Sequence, residues 1–240
     1  MSEWFEQWFG EEYLRLYPHR DDEDAERLVT LIDARVPLAA RRVLDLACGP
    51  GRHAAQFARR GASVVGFDLS MPLLSRARHR PGPAVDLVRG DMRQLPFRSA
   101  SFDLVVNLFT SFGYFADDVQ HAQVLCEAAD ALRPGGAFVL DYLNAGFVRD
   151  TLVLHEEREV GERRVAVGRR ISADDRFVIK EMHLVDDGRS FVERVRLFTQ
   201  EELESMVEAA GLAVRTRLGD YKGGAVSPSA PRVILLAERT

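Results

Sequence analysis

Short apolar runs alternate with amphipathic segments along the first 150 residues. The apolar runs have the length and composition of buried strands. They cover 42–47, 63–67, 84–88, 103–109 and 137–143. The segments between them that show helical spacing cover 51–60, 71–79 and 118–132. This alternation predicts an α/β fold in which helices cover both faces of a doubly wound parallel sheet.

The pattern changes after the fifth apolar run. Strand-like runs at 163–171, 177–185 and 191–198 follow one another with no helical segment between them. Asp187-Gly188, between the last two runs, is a signal for a tight hairpin turn. These runs predict an antiparallel β insertion after the fifth strand of the main sheet.

A helix and two strands are expected to complete the chain. Thr199 and Glu202 have the spacing of a capping box, and Gly211 is a typical helix stop. Two apolar runs follow, at 213–219 and 232–238. The chain therefore divides into an N-terminal helical lid or cap at 1–35, a ligand-binding core at 36–150, the insertion at 151–198, and a helix with a strand pair at 199–240.

The N-terminal segment "MSEWFEQWF" is rich in aromatic residues. One interpretation is a helix that packs Trp4, Phe5, Trp8 and Phe9 onto the domain. The other is a mobile lid over a ligand site, and the two are compatible because lids also bury aromatic faces.

Composition narrows the class of partner. The formal net charge is −5 and the isoelectric point is about 5.7. Proteins that bind the phosphate backbone of nucleic acids are more often basic, so no nucleic-acid partner is expected. Cys48 and Cys126 form neither a disulfide framework nor a zinc cluster, which favours reduced thiols in a cytoplasmic protein. The sequence has no run of 18 apolar residues, so no membrane span is expected.

The stretch "VLDLACGPGRHA" at 43–54 reads as a strand, a glycine turn and a helix. Its spacing Gly49-x-Gly51-x-x-Ala54 also fits the dinucleotide fingerprint. Asp45 distinguishes between the two ligands that such a turn could bind, a dinucleotide and S-adenosylmethionine. A pyrophosphate at the turn would be repelled by this carboxylate, whereas the ammonium group of S-adenosylmethionine would be attracted to it.

Acidic residues after the next two strands support an adenosyl ligand. Asp68 ends the second strand nineteen residues after Gly49, where an acid grips ribose hydroxyls in either ligand class. Asp91 and Met92 follow the third strand, where a carboxylate can accept a hydrogen bond from an adenine amino group. A nicotinamide-binding fold has less reason for this last acid.

Taken together, the ordered motifs resemble those of the class I S-adenosylmethionine-dependent methyltransferases. They are "VLDLACGPGRHA", "VVGFDLS", "RGDMRQLPF", "FDLVVNLFTSFGYF" and "LRPGGAFVLD". The resemblance implies a Rossmann-like sheet of seven strands with the last strand antiparallel. It also implies a site in which Asp45, Ala47, Gly49 and Gly51 line the methionine end, Asp68 and Leu69 the ribose, Asp91 and Met92 the adenine, and Asn107 and Leu108 the sulfonium.

Several acceptor classes can be argued against from the segment after the fourth strand. "NLFTSFGYF" lacks the Pro-Pro-aromatic sequence of amino-methylating nucleic-acid enzymes and the two glutamates of protein arginine methyltransferases. Asp141 and Asn144 are a poor match for a catechol-type metal site, so no metal is expected. A small-molecule acceptor remains, methylated at oxygen or nitrogen. The insertion and the "GDYKGG…SPSAPR" ending resemble small-molecule methyltransferases, including sugar N-methyltransferases, in which the insertion roofs the site or forms a homodimer contact.

Candidate acceptor contacts come from loops at the C-terminal strand ends and from the lid. They are Tyr13, Tyr17, His19, Arg20, Tyr114, Tyr142, Asn144 and Tyr221. Tyr114, His19 and Tyr221 are the candidates for a catalytic role, and Tyr13 or Arg20 could instead bind the methionine carboxylate. Since the methyl donor is already activated, positioning alone can carry catalysis. Two alternatives stay open: a nicotinamide-dependent oxidoreductase and a non-catalytic adenosyl-ligand-binding protein.

Overall fold

The computed structural model describes residues 3–17 and 22–240. Helices and strands alternate in it as the sequence predicts. The helices are α1 (Trp4–Trp8), α2 (Glu11–Leu16), α3 (Asp22–Asp33), α4 (Arg52–Arg59), α5 (Met71–Arg78), α6 (Asp118–Ala131), α7 (Ala145–Thr151) and α8 (Gln200–Ala209). The strands are β1 (Arg42–Leu46), β2 (Ser63–Asp68), β3 (Asp86–Arg89), β4 (Phe102–Asn107), β5 (Leu132–Leu143), β6 (His155–Val160), β7 (Arg163–Ile171), β8 (Phe177–Leu184), β9 (Ser190–Arg196), β10 (Leu212–Leu218) and β11 (Arg232–Arg239).

The main sheet has seven strands in the order β10-β11-β5-β4-β1-β2-β3. Strands β1 to β5 pair in parallel, and β11 runs antiparallel to both β5 and β10. The predicted Rossmann-like sheet with a reversed last strand is confirmed. One face packs against α3 and α4, and the opposite face packs against α6 and α8.

The insertion is an antiparallel sheet of four strands in the order β6-β7-β8-β9. An antiparallel insertion was predicted, but with three strands, and β6 was missed. The sequence of β6, "HEEREV", places charged residues on both faces of the strand, so no apolar alternation marks it. Its backbone is fixed by pairing with β7, from His155 opposite Gly168 to Val160 opposite Arg163.

Two boundaries differ from the predicted ones. Strand β5 begins at Leu132 instead of 137, because Leu132 pairs with Phe102 and Ala137 pairs with Leu104, while the intervening residues form a bulge. The N-terminal segment forms two short helices separated by Gly10 instead of one. No helix in the two described ranges is long and apolar enough to cross a membrane.

A third apolar cluster joins the N-terminal helices to the insertion. Trp8, Tyr13 and Leu16 pack there against Val165, Val167, Met182 and Leu184 of the insertion sheet. The indole Nε1 of Trp8 donates a hydrogen bond of 2.7 Å to Glu193 Oε1 on β9. Helices α1 and α2 therefore lie between the two sheets and touch both.

Gly113, in the loop after β4, lies close to the Tyr142 side chain and accepts a hydrogen bond from the insertion. Its φ is +88°, and a Cβ added here would overlap the hydroxyl of Tyr142. That hydroxyl donates to the carbonyl oxygen of Arg196, whose own N–H donates to the carbonyl oxygen of Gly113 at 2.8 Å. No residue with a side chain fits here without moving Tyr142.

We expect Gly113→Ala to destabilise the protein more than Gly161→Ala. Gly161 also has a positive φ, of +61°, but open space around it. Gly161→Ala is the control, and backbone strain alone should lower its free energy of unfolding by about 1–2 kcal/mol. Gly113→Ala should add about 1–3 kcal/mol of overpacking, measured by urea denaturation.

Tyr142→Phe removes the overlapping oxygen, so it should make Gly113→Ala less costly in a double-mutant cycle. Equal losses for the two glycine variants would contradict the overlap.

Candidate active site

A first cavity opens at the C-terminal ends of β1, β2, β3 and β4. The empty space in it, its open mouth included, is about 850 Å³. Seven of the predicted cofactor residues line it. They are Ala47, Gly49, Asp68, Leu69, Asp91, Met92 and Leu108. Phe5, Phe9 and Tyr13 of the N-terminal helices close its outer side.

Asp45, Gly51 and Asn107 do not line this cavity but lie behind its wall. Asp45 is 1% exposed, and its Oδ2 has no hydrogen-bond partner among the described residues. Asn107 is equally buried, and its Oδ1 also lacks a partner there, while its Nδ2 donates to the carbonyl oxygen of Leu46 at 3.3 Å. Two buried acceptors at neighbouring strand ends are therefore left without donors, a costly arrangement unless a ligand supplies them.

Burial dominates the electrostatics of Asp45. Desolvation, followed by repulsion from Asp68, raises the pKa of Asp45 to about 8, although the Ala54 N–H and the Arg52 guanidinium act in the opposite direction. At neutral pH this carboxyl group is mostly protonated, and a cation nearby would favour its ionised form. This position therefore suits an ammonium group.

Asp68 is fixed by the backbone of the glycine turn. Its Oδ2 accepts from the Gly49 N–H and its Oδ1 from the Ser70 N–H, both at 2.8 Å. Each carboxylate oxygen keeps a lone pair for a further donor. Ala47, in the same turn, has a φ of +58°, a conformation that non-glycine residues seldom adopt and that often marks functional sites.

Asp91 is held by Arg93. The guanidinium Nη2 and Nε donate to its carboxylate at 2.6 and 3.0 Å. Burial alone would raise the pKa of Asp91, but the hydrogen bonds from Arg93 lower it overall. The sequence did not predict Arg93 as the partner of Asp91. The two residues are two positions apart in a segment that is neither helix nor strand, so their spacing does not indicate a contact.

A second cavity of about 1,220 Å³ lies between the core, α1 and the insertion. It shares Phe9, Phe109 and Tyr114 with the first cavity, so the two adjoin at these residues. Charged side chains also line it. They are Glu156, Arg169, Lys180 and Glu193 of the insertion and Arg232 of β11, whose guanidinium lies 5.8 Å from the centre of the Phe109 ring.

Tyr114 is the one acceptor candidate that lines both of these cavities. Tyr13 lines the first, and the hydroxyl of Tyr17 lies 3.3 Å from Glu193 Oε1 beside the second. His19 and Arg20 fall outside the described residues.

The sequence predicted that Tyr142 and Asn144 contact the acceptor, and the structure does not place them for that role. Both side chains make contacts within the protein instead. Tyr142 is 0% exposed, and its hydroxyl donates to the Arg196 carbonyl oxygen. Asn144 caps α7 by accepting from the Gly146 N–H, and its Nδ2 donates to the Ala230 and Ser227 carbonyl oxygens. Neither side chain lines either cavity.

Tyr221 does not line the cavities either. Its hydroxyl donates to Asp141 Oδ2 at 2.9 Å, and Arg232 Nε donates to Asp141 Oδ1 at 2.7 Å. Burial raises the pKa of the Tyr221 hydroxyl, which argues against its use as a base. The sequence analysis did not identify Arg232, Glu156 or Glu193 as cavity residues. Single charged residues on strands belong to no recognisable motif. Among the described residues, no group of three His, Cys, Asp or Glu could hold a metal ion.

Comparison with known proteins assigns the family. Residues 43–136 match the methyltransferase domain family. The dTDP-3-amino-3,4,6-trideoxy-alpha-D-glucopyranose N,N-dimethyltransferase of Streptomyces venezuelae is 31% identical over 213 residues, 83% of this chain and 86% of that protein.

Solved structures agree with this assignment. The S-adenosylmethionine-bound amino pentose methyltransferase CalS10 of Micromonospora echinaspora is 28% identical, with a TM-score of 0.71 over 95% of each chain. The CcbJ methyltransferase of Streptomyces caelestis shares the fold, with a TM-score of 0.80 over 97% of this chain and 98% of that one, at 23% identity. The nicotinamide oxidoreductase and the non-catalytic alternatives are therefore set aside: the chain belongs to the S-adenosylmethionine-dependent methyltransferases.

Proposed function

We propose that this methyltransferase transfers the methyl group of S-adenosylmethionine to an amine nitrogen of a small, sugar-like acceptor. The observation that carries this proposal is the pair of adjoining cavities. Behind the wall of one lie the unpartnered oxygens of Asp45 and Asn107, which suit a cationic cofactor, and the other lies under the insertion with charged side chains in its lining. The relatives with 31% and 28% identity both carry names that refer to amino sugars, which supports an amine.

In the cofactor cavity, the chain's residues fit an adenosyl amino acid. We assign Asp45 to the α-ammonium group, with Ala47, Gly49 and Gly51 shaping the turn around the methionine end. Asp68 and Leu69 are assigned to the ribose, Asp91 and Met92 to the adenine, and Asn107 and Leu108 to the sulfonium. The ammonium group of this ligand can donate to the unpartnered Oδ2 of Asp45, and the positive charge of its sulfonium is attracted to the unpartnered Oδ1 of Asn107.

The protein's share of the chemistry is positioning. S-adenosylmethionine supplies an activated methyl group, so the residues around Phe109 and Tyr114 need to hold the nucleophile in line and exclude water. Such positioning can lower a barrier by about 7–11 kcal/mol. An amine reaches the site protonated at neutral pH and must lose this proton before it can accept the methyl group.

Two further points extend the proposal. We expect the enzyme to act in the cytoplasm, in keeping with Cys48 and Cys126, which form no disulfide. A homodimer through the insertion also stays a prediction. Exposed apolar residues Val153, Leu154, Val185 and Val192 in and beside this sheet support it.

Sedimentation at micromolar concentration tests the dimer. We expect a wild-type dimer and a monomeric Val192→Asp variant, because a charge in a small apolar contact costs several kcal/mol, about 2–5. If the wild-type protein sediments as a monomer, the dimer prediction is wrong and the proposed reaction is unaffected.

We expect Asp45→Asn to weaken adenosylhomocysteine binding while stabilising the unliganded protein. The loss of one charged hydrogen bond costs about 1.5–3 kcal/mol of binding free energy, to be measured by calorimetry. With a folded pKa of about 8 and an unfolded pKa near 3.8, wild-type Asp45 destabilises the fold progressively as the pH rises from 4 to 8. The stability gain of the variant should therefore grow over that window and level off above it.

Asp103→Asn is the matched control, because Asp103 lies at the opposite end of β4 and accepts from the Arg42 N–H. It should leave the affinity unchanged. Unchanged affinity in Asp45→Asn would refute the assigned role. The same titration followed by tryptophan fluorescence tests lid movement, since both tryptophans lie in α1.

The acceptor assignment is tested with a dTDP-linked amino sugar and its hydroxyl analogue. Incubation with S-adenosylmethionine should raise the mass of the amine by one or two methyl groups and leave the hydroxyl compound unmodified. Mass spectrometry reads both outcomes in one mixture. Methylation of the hydroxyl compound alone would overturn the amine proposal and leave the family assignment intact.

A further inference from the structure

Tyr114 lines both cavities, and other elements of the fold hold the backbone around it. The carbonyl oxygen of Gly113, the preceding residue, accepts a hydrogen bond from the Arg196 N–H of β9 at 2.8 Å. The carbonyl oxygen of Tyr114 itself accepts from the indole Nε1 of Trp4, on α1, at 3.1 Å. The insertion and the N-terminal helices therefore hold two successive peptide groups of this loop.

A histidine side chain holds the next peptide group. The Phe115 N–H donates to Nε2 of His121, on α6, at 3.2 Å. His121 is 0% exposed, and its ring centre lies 5.1 Å from those of Phe112 and Phe198 and 5.2 Å from that of Phe115. A phenylalanine would fill such an apolar position, but its ring could not accept this hydrogen bond. The imidazole therefore supplies a polar contact that the packing alone does not require.

The hydrogen bonds of His121 define its protonation state. Because Nε2 accepts from a backbone N–H, the proton of the neutral ring is on Nδ1, which lies 3.5 Å from Oδ1 of Asp118. Burial lowers the pKa of His121 to about 4, and the charge of Arg196 acts in the same direction, whereas Asp118 acts against it. At neutral pH the lone pair of Nε2 is therefore available to the Phe115 N–H.

Removal of this lone pair would leave the Phe115 N–H without its partner in a buried position. An unpaired buried donor is costly, so the loop would move until the N–H found another acceptor or water. Tyr114 directly precedes this peptide group and would move with it. A displacement of about 1 Å near reacting atoms can lower a rate about a hundredfold.

We infer that His121 is a positioning residue for methyl transfer: by accepting from the Phe115 N–H, it fixes Tyr114 where the two cavities adjoin. This inference rests on the proposed function, because it takes the nucleophile to be held beside Tyr114. His121 itself lines neither of the two cavities. It therefore acts through the loop and touches neither the cofactor nor the methyl acceptor.

The first test reads the position of Tyr114 without any methyl acceptor. Trp8→Phe leaves Trp4 as the single tryptophan of the full-length chain, and the Trp4 and Tyr114 ring centres are 5.2 Å apart. In this background, saturated with adenosylhomocysteine, we expect His121→Phe to shift the Trp4 emission spectrum. His121→Gln should restore the spectrum, because its amide oxygen can accept from the same N–H.

The second test measures turnover of the dTDP-linked amino sugar without the Trp8 substitution. We expect the kcat of His121→Phe to fall about tenfold to a hundredfold, while the KM for S-adenosylmethionine stays close to that of the wild type. His121→Gln should recover most of the kcat. Phe198→Leu is the matched control, because it loosens the same aromatic cluster and keeps the hydrogen bond. It should lower the stability and leave the kcat unchanged.

An unshifted spectrum and a wild-type kcat in His121→Phe would overturn the inference. Equal losses of kcat in His121→Phe and His121→Gln, or in His121→Phe and Phe198→Leu, would overturn it as well, since packing alone would then account for the effect. His121→Leu takes the place of His121→Phe if that variant does not fold. If the wild type methylates no amine, the proposed function fails, and the emission spectra still decide whether His121 positions Tyr114.

Discussion

One buried carboxylate fixes the wall between the two cavities. Asp141, on β5, is 0% exposed and accepts hydrogen bonds from the Phe109 N–H at 2.9 Å, from the Tyr221 hydroxyl and from Arg232 Nε. Phe109 and Thr110 have φ values of 58° and 60°, which cost about 1–3 kcal/mol each when a non-glycine residue adopts them. The hydrogen bonds of Asp141 offset this strain. The turn after β4, strand β11 and the loop before it are thus held by a single group.

The clustering of the predicted cofactor residues around the first cavity could be anticipated because their sequence signals are local. The glycine turn, the acid after β2 and the residues after β3 each occupy one short stretch, and parallel strands bring their C-terminal ends to one edge. Seven of ten predicted residues line the cavity for this reason. The other three residues, Asp45, Gly51 and Asn107, lie behind the wall of this cavity. The direction in which a residue faces depends on tertiary packing, and a short motif does not encode it.

The acceptor site could not be predicted in the same way. Tyr142 and Asn144 stand at the end of β5, as ligand-contacting residues often do, but Arg196 and Ala230 lie within reach of their polar atoms and satisfy them. Those partners are 54 and 86 residues away along the chain. Strand β6 was missed for a related reason: two of its three inward residues, Glu156 and Arg158, are charged, so it has no apolar side to detect.

The insertion sheet has two inner regions with different tasks. Val165, Val167, Met182 and Leu184 bury the apolar side chains of α1 and α2, while the charged residues border the second cavity. Glu193 belongs to both regions, because its Oε1 accepts from the Trp8 indole and its Oε2 pairs with Lys180. Glu193 therefore links the charged part of the second cavity's lining to helix α1, which borders both cavities.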